Sequence, residues 1–409
     1  MRLYSTDLTS PEVSLSEAIL NGYAPDGGLY MPVRLPFIPS AFFNNIGGMS
    51  SDEITYVTGN SLFGEEISAD TMKEAIADTI DIDTPLVEIT PGILGAELYH
   101  GPTLSAMDIG ATLLAKIISN LGLNGGDPLN VLVATSRDTG VAMAEAFDSV
   151  PGINMFALYP SRQITDIAES QLSSIQGKAT VIEVHGDYND CHNLAKTAIL
   201  DNDLRGMMKL TSANSINIVT FLSKILHFIY PYAKAVATGV NPSQIVMAFP
   251  AGNLSTLSAG IIAKRMGLPV KRFIVTGNNP MSEIAWRTNL PRFKYLCNGL
   301  TDCNDIIFTS TTDDKITDTI AEVYFSNGHL LDQDTAAAYM SLRESLKPGE
   351  TGIVLECSHP IKSRNAIEKG IGYEIPAPPA IKRLQPQRRN HEKMSANYAE
   401  FKQFLISRL

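Results

Sequence analysis

The stretch Leu129-Asn130-Val131-Leu132-Val133-Ala134-Thr135-Ser136-Arg137-Asp138-Thr139-Gly140 decides the fold. Its first half is a short apolar run of strand length, and its second half is a loop of small polar residues. Val141 to Phe147 then begins a helix. The same unit recurs downstream. Ile153–Leu158 reads as a strand before a helix near Gln163–Gln176, and Ala179–Val184 as a strand before a helix near Asn189–Leu200. Strand, loop and helix in repetition specify a parallel, doubly wound sheet.

The pattern resumes after a long apolar segment. Gln244–Phe249 is a strand, Pro250-Ala251-Gly252-Asn253 a loop and Ser255–Met266 a helix; Val270–Val275 and Gly352–Glu356 are further strands. Two α/β halves therefore flank Ile216–Ala237. That segment carries Asn217, Lys224, His227 and Pro231 and reads as a buried or amphipathic helix, not a membrane span. Upstream, Leu15–Leu20, Ser51–Phe63, Ser68–Ile80 and Asp108–Leu121 have helical spacing, with Ser51 and Ser68 as N-caps. Thr84–Leu98 reads as two strands around Pro91-Gly92. The division expected is an N-terminal region (1–85), a larger α/β domain (86–128 with 240–409) and a smaller one (129–239). In such sheets ligands sit beyond the carboxyl ends of the strands, where the polar loops lie.

Composition narrows the function. The 409 residues carry 32 Lys and Arg against 43 Asp and Glu, a net charge of −11, with no basic stripe. That balance argues against nucleic acid and anionic membranes as partners, and Lys382 to Lys393 reads as a solvated polar tail. Four cysteines (Cys191, Cys297, Cys303 and Cys357) with no C-x-x-C pair point to free thiols in a reducing cytoplasm. No apolar leader follows Met1. The run His185, Asp187, Asp190, Cys191, His192 lacks metal-ligand spacing, so no metal is expected.

Several motifs together resemble the threonine synthase family, pyridoxal-phosphate (PLP) enzymes of fold type II. They include Ala24-Pro25-Asp26-Gly27-Gly28-Leu29-Tyr30-Met31-Pro32, Glu97-Leu98-Tyr99-His100-Gly101-Pro102-Thr103-Leu104, Asp108-Ile109-Gly110, Asp138-Thr139-Gly140, Ser212-Ala213-Asn214-Ser215-Ile216-Asn217 and His359-Pro360. The resemblance covers nearly the whole chain. It implies two doubly wound α/β domains with a cleft between them, and a cytoplasmic lyase of threonine biosynthesis that converts O-phosphohomoserine to threonine and phosphate.

The departures from that family fall where its chemistry lies. The family's Ala-Phe-Lys-Asp-Ile-Gly reads Ser105-Ala106-Met107-Asp108-Ile109-Gly110, so Met107 stands where the resemblance places the Schiff-base lysine. The family's Ser-Gly-Asp-Thr-Gly reads Ser136-Arg137-Asp138-Thr139-Gly140, and its phosphate loop Ser-Gly-Asn-Phe-Gly reads Ala251-Gly252-Asn253-Leu254-Ser255. Thr220 stands for an Arg, and Cys357-Ser358 for Thr-Ala before His-Pro. Methionine fills a lysine stem's space but neither forms an imine nor carries a proton. The next lysine downstream, Lys116, is nine residues on, roughly 13 Å along a helix and out of reach.

These residues imply a catalytically degenerate relative, a pseudoenzyme; the alternative is an active threonine synthase. Ser136, Asp138, Thr139, Gly140, Gly252, Asn253, Ser255 and Cys357 occupy altered cofactor-binding positions, and no catalytic residue is assigned. Covalent PLP is not expected. Arg137, beside a helix start, is the candidate for a small anionic ligand. A homo-oligomer, or pairing with an active paralogue, is the expected kind of protein partnership.

Overall fold

A computed structural model describes residues 1–80, 82–123, 126–148, 150–175, 179–277, 282–298, 303–384 and 391–408. Thirteen strands occur among them. β1 (Leu3–Ser5) and β2 (Tyr30–Pro32) form a small antiparallel pair. The first large sheet contains β3 (Leu86–Thr90), β4 (Ile93–Glu97), β9 (Ile245–Pro250), β10 (Arg272–Thr276), β11 (Ile306–Thr309) and β12 (Thr351–Glu356). Its order is β11-β10-β9-β12-β4-β3, parallel except for the β3–β4 hairpin. That hairpin turns at Gly92, whose φ of +81° suits a residue without a Cβ.

The second sheet contains β5 (Leu129–Ala134), β6 (Ile153–Pro160), β7 (Ala179–His185), β8 (Lys209–Ser212) and β13 (Glu392–Ser395), in the order β13-β7-β6-β5-β8. It is parallel throughout. β5 is buried at every position, as expected for a strand covered by helices on both faces. One apolar cluster runs between the sheets, joining Val131 and Val133 of β5, Met247 and Phe249 of β9, and Leu113, Leu114, Ile117 and Ile118 of the helix Met107–Asn120.

The α/β architecture agrees with the sequence reading, and so do most element positions, including the helices Ser51–Phe63 and Ser255–Arg265. Four readings need correction. Ser50, not Ser51, caps the first of these helices, in a capping box with Glu53. Ile216–Ala237 is not one helix: Asn217 caps Ile218–Leu222, a 3₁₀ turn follows at Ser223–Ile225, and Leu226–Ala237 completes the segment. β13 lies inside the polar tail and inside the stretch assigned to the larger domain, yet it pairs with β7 of the second sheet; residues 385–390 of that tail lie outside the described residues. Cys297 and Cys303 form a disulfide, which leaves only Cys191 and Cys357 as free thiols. Among the described residues no helix is long and apolar enough to cross a membrane.

Candidate active site

Three loops at strand carboxyl ends converge. β5 ends at Ala134, and Thr135-Ser136-Arg137 leads into the helix Asp138–Phe147. Gly140 N–H donates to Thr135 Oγ1 at 2.9 Å. A Cβ at Gly140 would lie 2.2 Å from Thr135 Cγ2, so this turn needs glycine. β9 ends at Pro250, and the loop to the helix Ser255–Arg265 is fixed by Asn253. Its Oδ1 accepts from Ser255 N–H (3.1 Å) and Oγ–H (2.6 Å), and its Nδ2 donates to Ser215 Oγ (2.9 Å). Gly252 and Leu254 both have positive φ there. β12 ends at Glu356, and Cys357-Ser358-His359 runs beside Leu104-Ser105-Ala106. Ala106 N–H donates to the Cys357 carbonyl (2.8 Å), and His359 N–H to that of Leu104 (3.1 Å).

A cavity of about 480 Å³ opens between the two sheets, lined by Arg137, Asp138, Thr165, Pro250, Cys357 and Lys362 among others. Of the residues singled out from sequence, Arg137, Asp138 and Cys357 reach its wall. Ser136, Thr139, Gly140, Gly252, Asn253, Ser255 and Met107 shape the surrounding loops and do not line it. Met107 is the first residue of its helix, half-buried, with its N–H on Ser105 Oγ at 3.2 Å.

The rim of the cavity is an ion-paired seam. Asp138 accepts from Lys362 Nζ (2.5 Å) and Ser358 Oγ (2.9 Å), and the Lys362 side chain is only 6% exposed. Arg137 Nη1 donates to Asp334 Oδ2 at 2.8 Å, with the arginine side chain 62% exposed. The guanidinium lines the cavity and is at the same time engaged with a carboxylate at the surface. Asp332, buried beside Asp334, has its carboxyl pushed upward, chiefly by burial and then by that neighbouring charge.

The residues packed outside the cavity lining are different. Asp108 is buried under the Thr103 turn, accepting from Thr103 N–H (3.0 Å) and Oγ–H (2.5 Å), and burial pushes its carboxyl up to about 6. His227 Nε2 lies 3.1 Å from the Ala106 carbonyl. Lys224, 8% exposed, approaches Thr256 Oγ1 at 3.4 Å. Burial brings its amine down to about 8, and burial pushes the nearby Cys357 thiol up to about 12. Lys224 and Lys362 were both missed as site residues. Lys224 stands in the sequence as one charge interrupting an apolar segment, and Lys362 follows His359-Pro360 without a motif of its own. The run His185 to His192 serves structure: Asp187 and Asp190 form a capping box, and His192 meets Tyr23 Oη at 3.2 Å.

Residues 2–80 match the family model described as "Threonine synthase N terminus". Threonine synthase of Serratia marcescens is 28% identical over 99% of both chains, and that of Haemophilus influenzae 29% identical over 99% of this chain and all of the relative. The crystal structure of Escherichia coli threonine synthase covers all of both chains with a TM-score of 0.92 at 26% identity. The fold also matches a PLP-bound threonine synthase from Brucella melitensis, with a TM-score of 0.87 at 24% identity over 99% of this chain and 98% of that one.

Two α/β sheets with a cleft at their strand ends thus form the fold type II scaffold of PLP-dependent enzymes. Within that class, the chain is similar over its whole length to threonine synthases, and its residues 2–80 match the model of their N terminus.

Proposed function

We propose that this chain is a catalytically degenerate member of the family, unable to make threonine by the lysine-dependent route. The observation that carries this reading is Met107. It opens the helix Met107–Asn120 at the position the motif assigns to the cofactor-bearing lysine, and it brings a thioether in place of an amine. Pyridoxal phosphate, when bound, supplies an electron sink for carbanion chemistry, and the protein must hold its aldehyde carbon and move protons beside it. The residue at 107 does not fit that task, since it has no nitrogen to bond and no proton to give. Lys116 offers no substitute, because it lies nine residues along the same helix, on the order of 13 Å away. General acid–base catalysis alone contributes roughly 10²–10⁴ in rate, so the loss is large.

The rim supports the same conclusion. Arg137 stands where the motif has glycine, and its pairing with Asp334 ties the second sheet to the helix Gln333–Ser345 across the cavity mouth. The protein in this reading is a cytoplasmic scaffold that takes a small anionic molecule, or that pairs with itself or with an active paralogue. The test is release of phosphate and threonine from O-phosphohomoserine by the purified chain with added PLP. The expected result is none above the protein-free blank. Turnover in the usual enzyme range of about 1–10³ s⁻¹ would refute the proposal.

A further inference from the structure

Close to Cys357 of the cavity wall, and not itself part of that wall, lies a primary amine that the motifs do not assign. The first turn of the helix Met107–Asn120 packs directly on the 3₁₀ turn carrying Lys224. The Ala106 carbonyl faces His227, three residues after Lys224, and a Cβ on Gly110 would lie 2.5 Å from Ser223 Oγ, one residue before it. Lys224 is thus flanked on both sides by contacts to the turn that contains Met107. Its amine points to Thr256, the second residue of the helix Ser255–Arg265, and lies close enough to Cys357 for each group to bias the other's charge. Cys357 is also part of the cavity wall.

This amine has no acidic counterpart. Among the described residues no carboxylate pairs with Lys224, and its one hydrogen bond is the long one to Thr256. Two further polar atoms nearby are buried with no hydrogen bond: His227 Nδ1 and Ser258 Oγ. A lysine buried without a carboxylate is poorly hydrated and tends toward its neutral, nucleophilic form. The start of the helix Ser255–Arg265 beside it favours negative charge on a ligand.

We infer that Lys224 is a covalent attachment site for an aldehyde bearing an anionic group, reached from the cavity past Cys357. The inference takes from the proposed function only the absence of an amine at 107. In the step itself, the Lys224 nitrogen lone pair adds to the aldehyde carbon and forms a C–N bond while the C=O π pair moves to oxygen. Protons pass from nitrogen to that oxygen, which leaves as water as C=N forms. No oxidant or reductant is needed. Burial supports the chemistry: with the amine brought down to about 8, its free-base fraction at neutral pH is roughly two hundredfold that of an ordinary lysine. With no lysine at 107 to carry protons beside it, such an adduct is a bound state and gives no threonine.

The full chain is incubated with stoichiometric pyridoxal phosphate, reduced with borohydride and digested, and the pyridoxyl-bearing lysine is located by mass spectrometry. The label is expected on Lys224, at least about tenfold above any single surface lysine, given the difference in free base. Lys224→Arg, checked for native circular dichroism and melting, should lose that label while keeping the surface background. Pyridoxal without its phosphate should label Lys224 more weakly. Label confined to surface lysines in the native chain would overturn the site whether or not the variant folds. Unchanged total label in a folded Lys224→Arg would do the same. Equal labelling by pyridoxal would overturn the anionic part. Threonine formation in the same preparation would overturn the proposed loss of catalysis and leave the Lys224 assignment standing, so the two fail separately.

Discussion

Two lysines at one cleft are almost equally hidden, and they differ in what surrounds them. Lys362 on the cavity wall is held by Asp138 at 2.5 Å, whereas Lys224, outside that wall, meets among the described residues a hydroxyl at 3.4 Å and no carboxylate. Burial exacts its cost from both, but only Lys362 has a carboxylate to offset it. The wall lysine therefore ties two parts of the fold together through its carboxylate partner, and Lys224 is an amine that burial makes easier to deprotonate. The comparison teaches that depth alone does not assign a buried lysine its role; the counter-charge does.

The comparison can be broken most strongly at the rim. Asp138→Ala strips the carboxylate from Lys362 and leaves a buried ammonium unpaired. Stability should fall by about 3 kcal/mol, the usual scale for a broken buried pair. The urea midpoint should drop with an unchanged slope, and a loss below the level of a surface pair would mean that Lys362 is solvated. Arg137→Ala should do far less, because the Arg137–Asp334 pair is exposed and worth about 1 kcal/mol or below. A thermal-shift screen with phosphate, sulfate and phosphohomoserine sharpens this: any stabilisation should be the same in the native chain and in Arg137→Ala. A shift abolished by the substitution would establish Arg137 as an anion ligand.

Much of the architecture was legible in the sequence. β5, β6 and β9 are short apolar runs bounded by polar loops, and their spacing dictates a parallel sheet. β13 was not legible: Glu392-Lys393-Met394-Ser395 is polar, and only its pairing with the edge of β7 makes it a strand. The break at Ser223–Ile225 was hidden by apolar residues on either side. A motif position that does reach the cavity wall is Asp138. Lys224 escaped because a single lysine in an apolar segment reads as the polar edge of a helix. Its meaning depends on Thr256 and Cys357, which approach it only in the folded chain.

The contrast between the two lysines rests most directly on the charge state of Lys224, and the pH dependence of stability reads it. Its folded pKa is lowered, so between about 8 and the ordinary lysine value of 10.5 the unfolded chain binds more protons than the folded one. Stability must therefore rise with pH across that window, by on the order of 3 kcal/mol for this one group. Subtracting the same curve for Lys224→Met removes the contributions of the other lysines. The account predicts that Lys224→Met is the more stable protein at pH 7 and that the native chain closes the gap as pH approaches 10.5. Parallel curves, or a native chain that loses ground as pH rises, would show that burial does not disfavour the charged form of Lys224, and the contrast would fall.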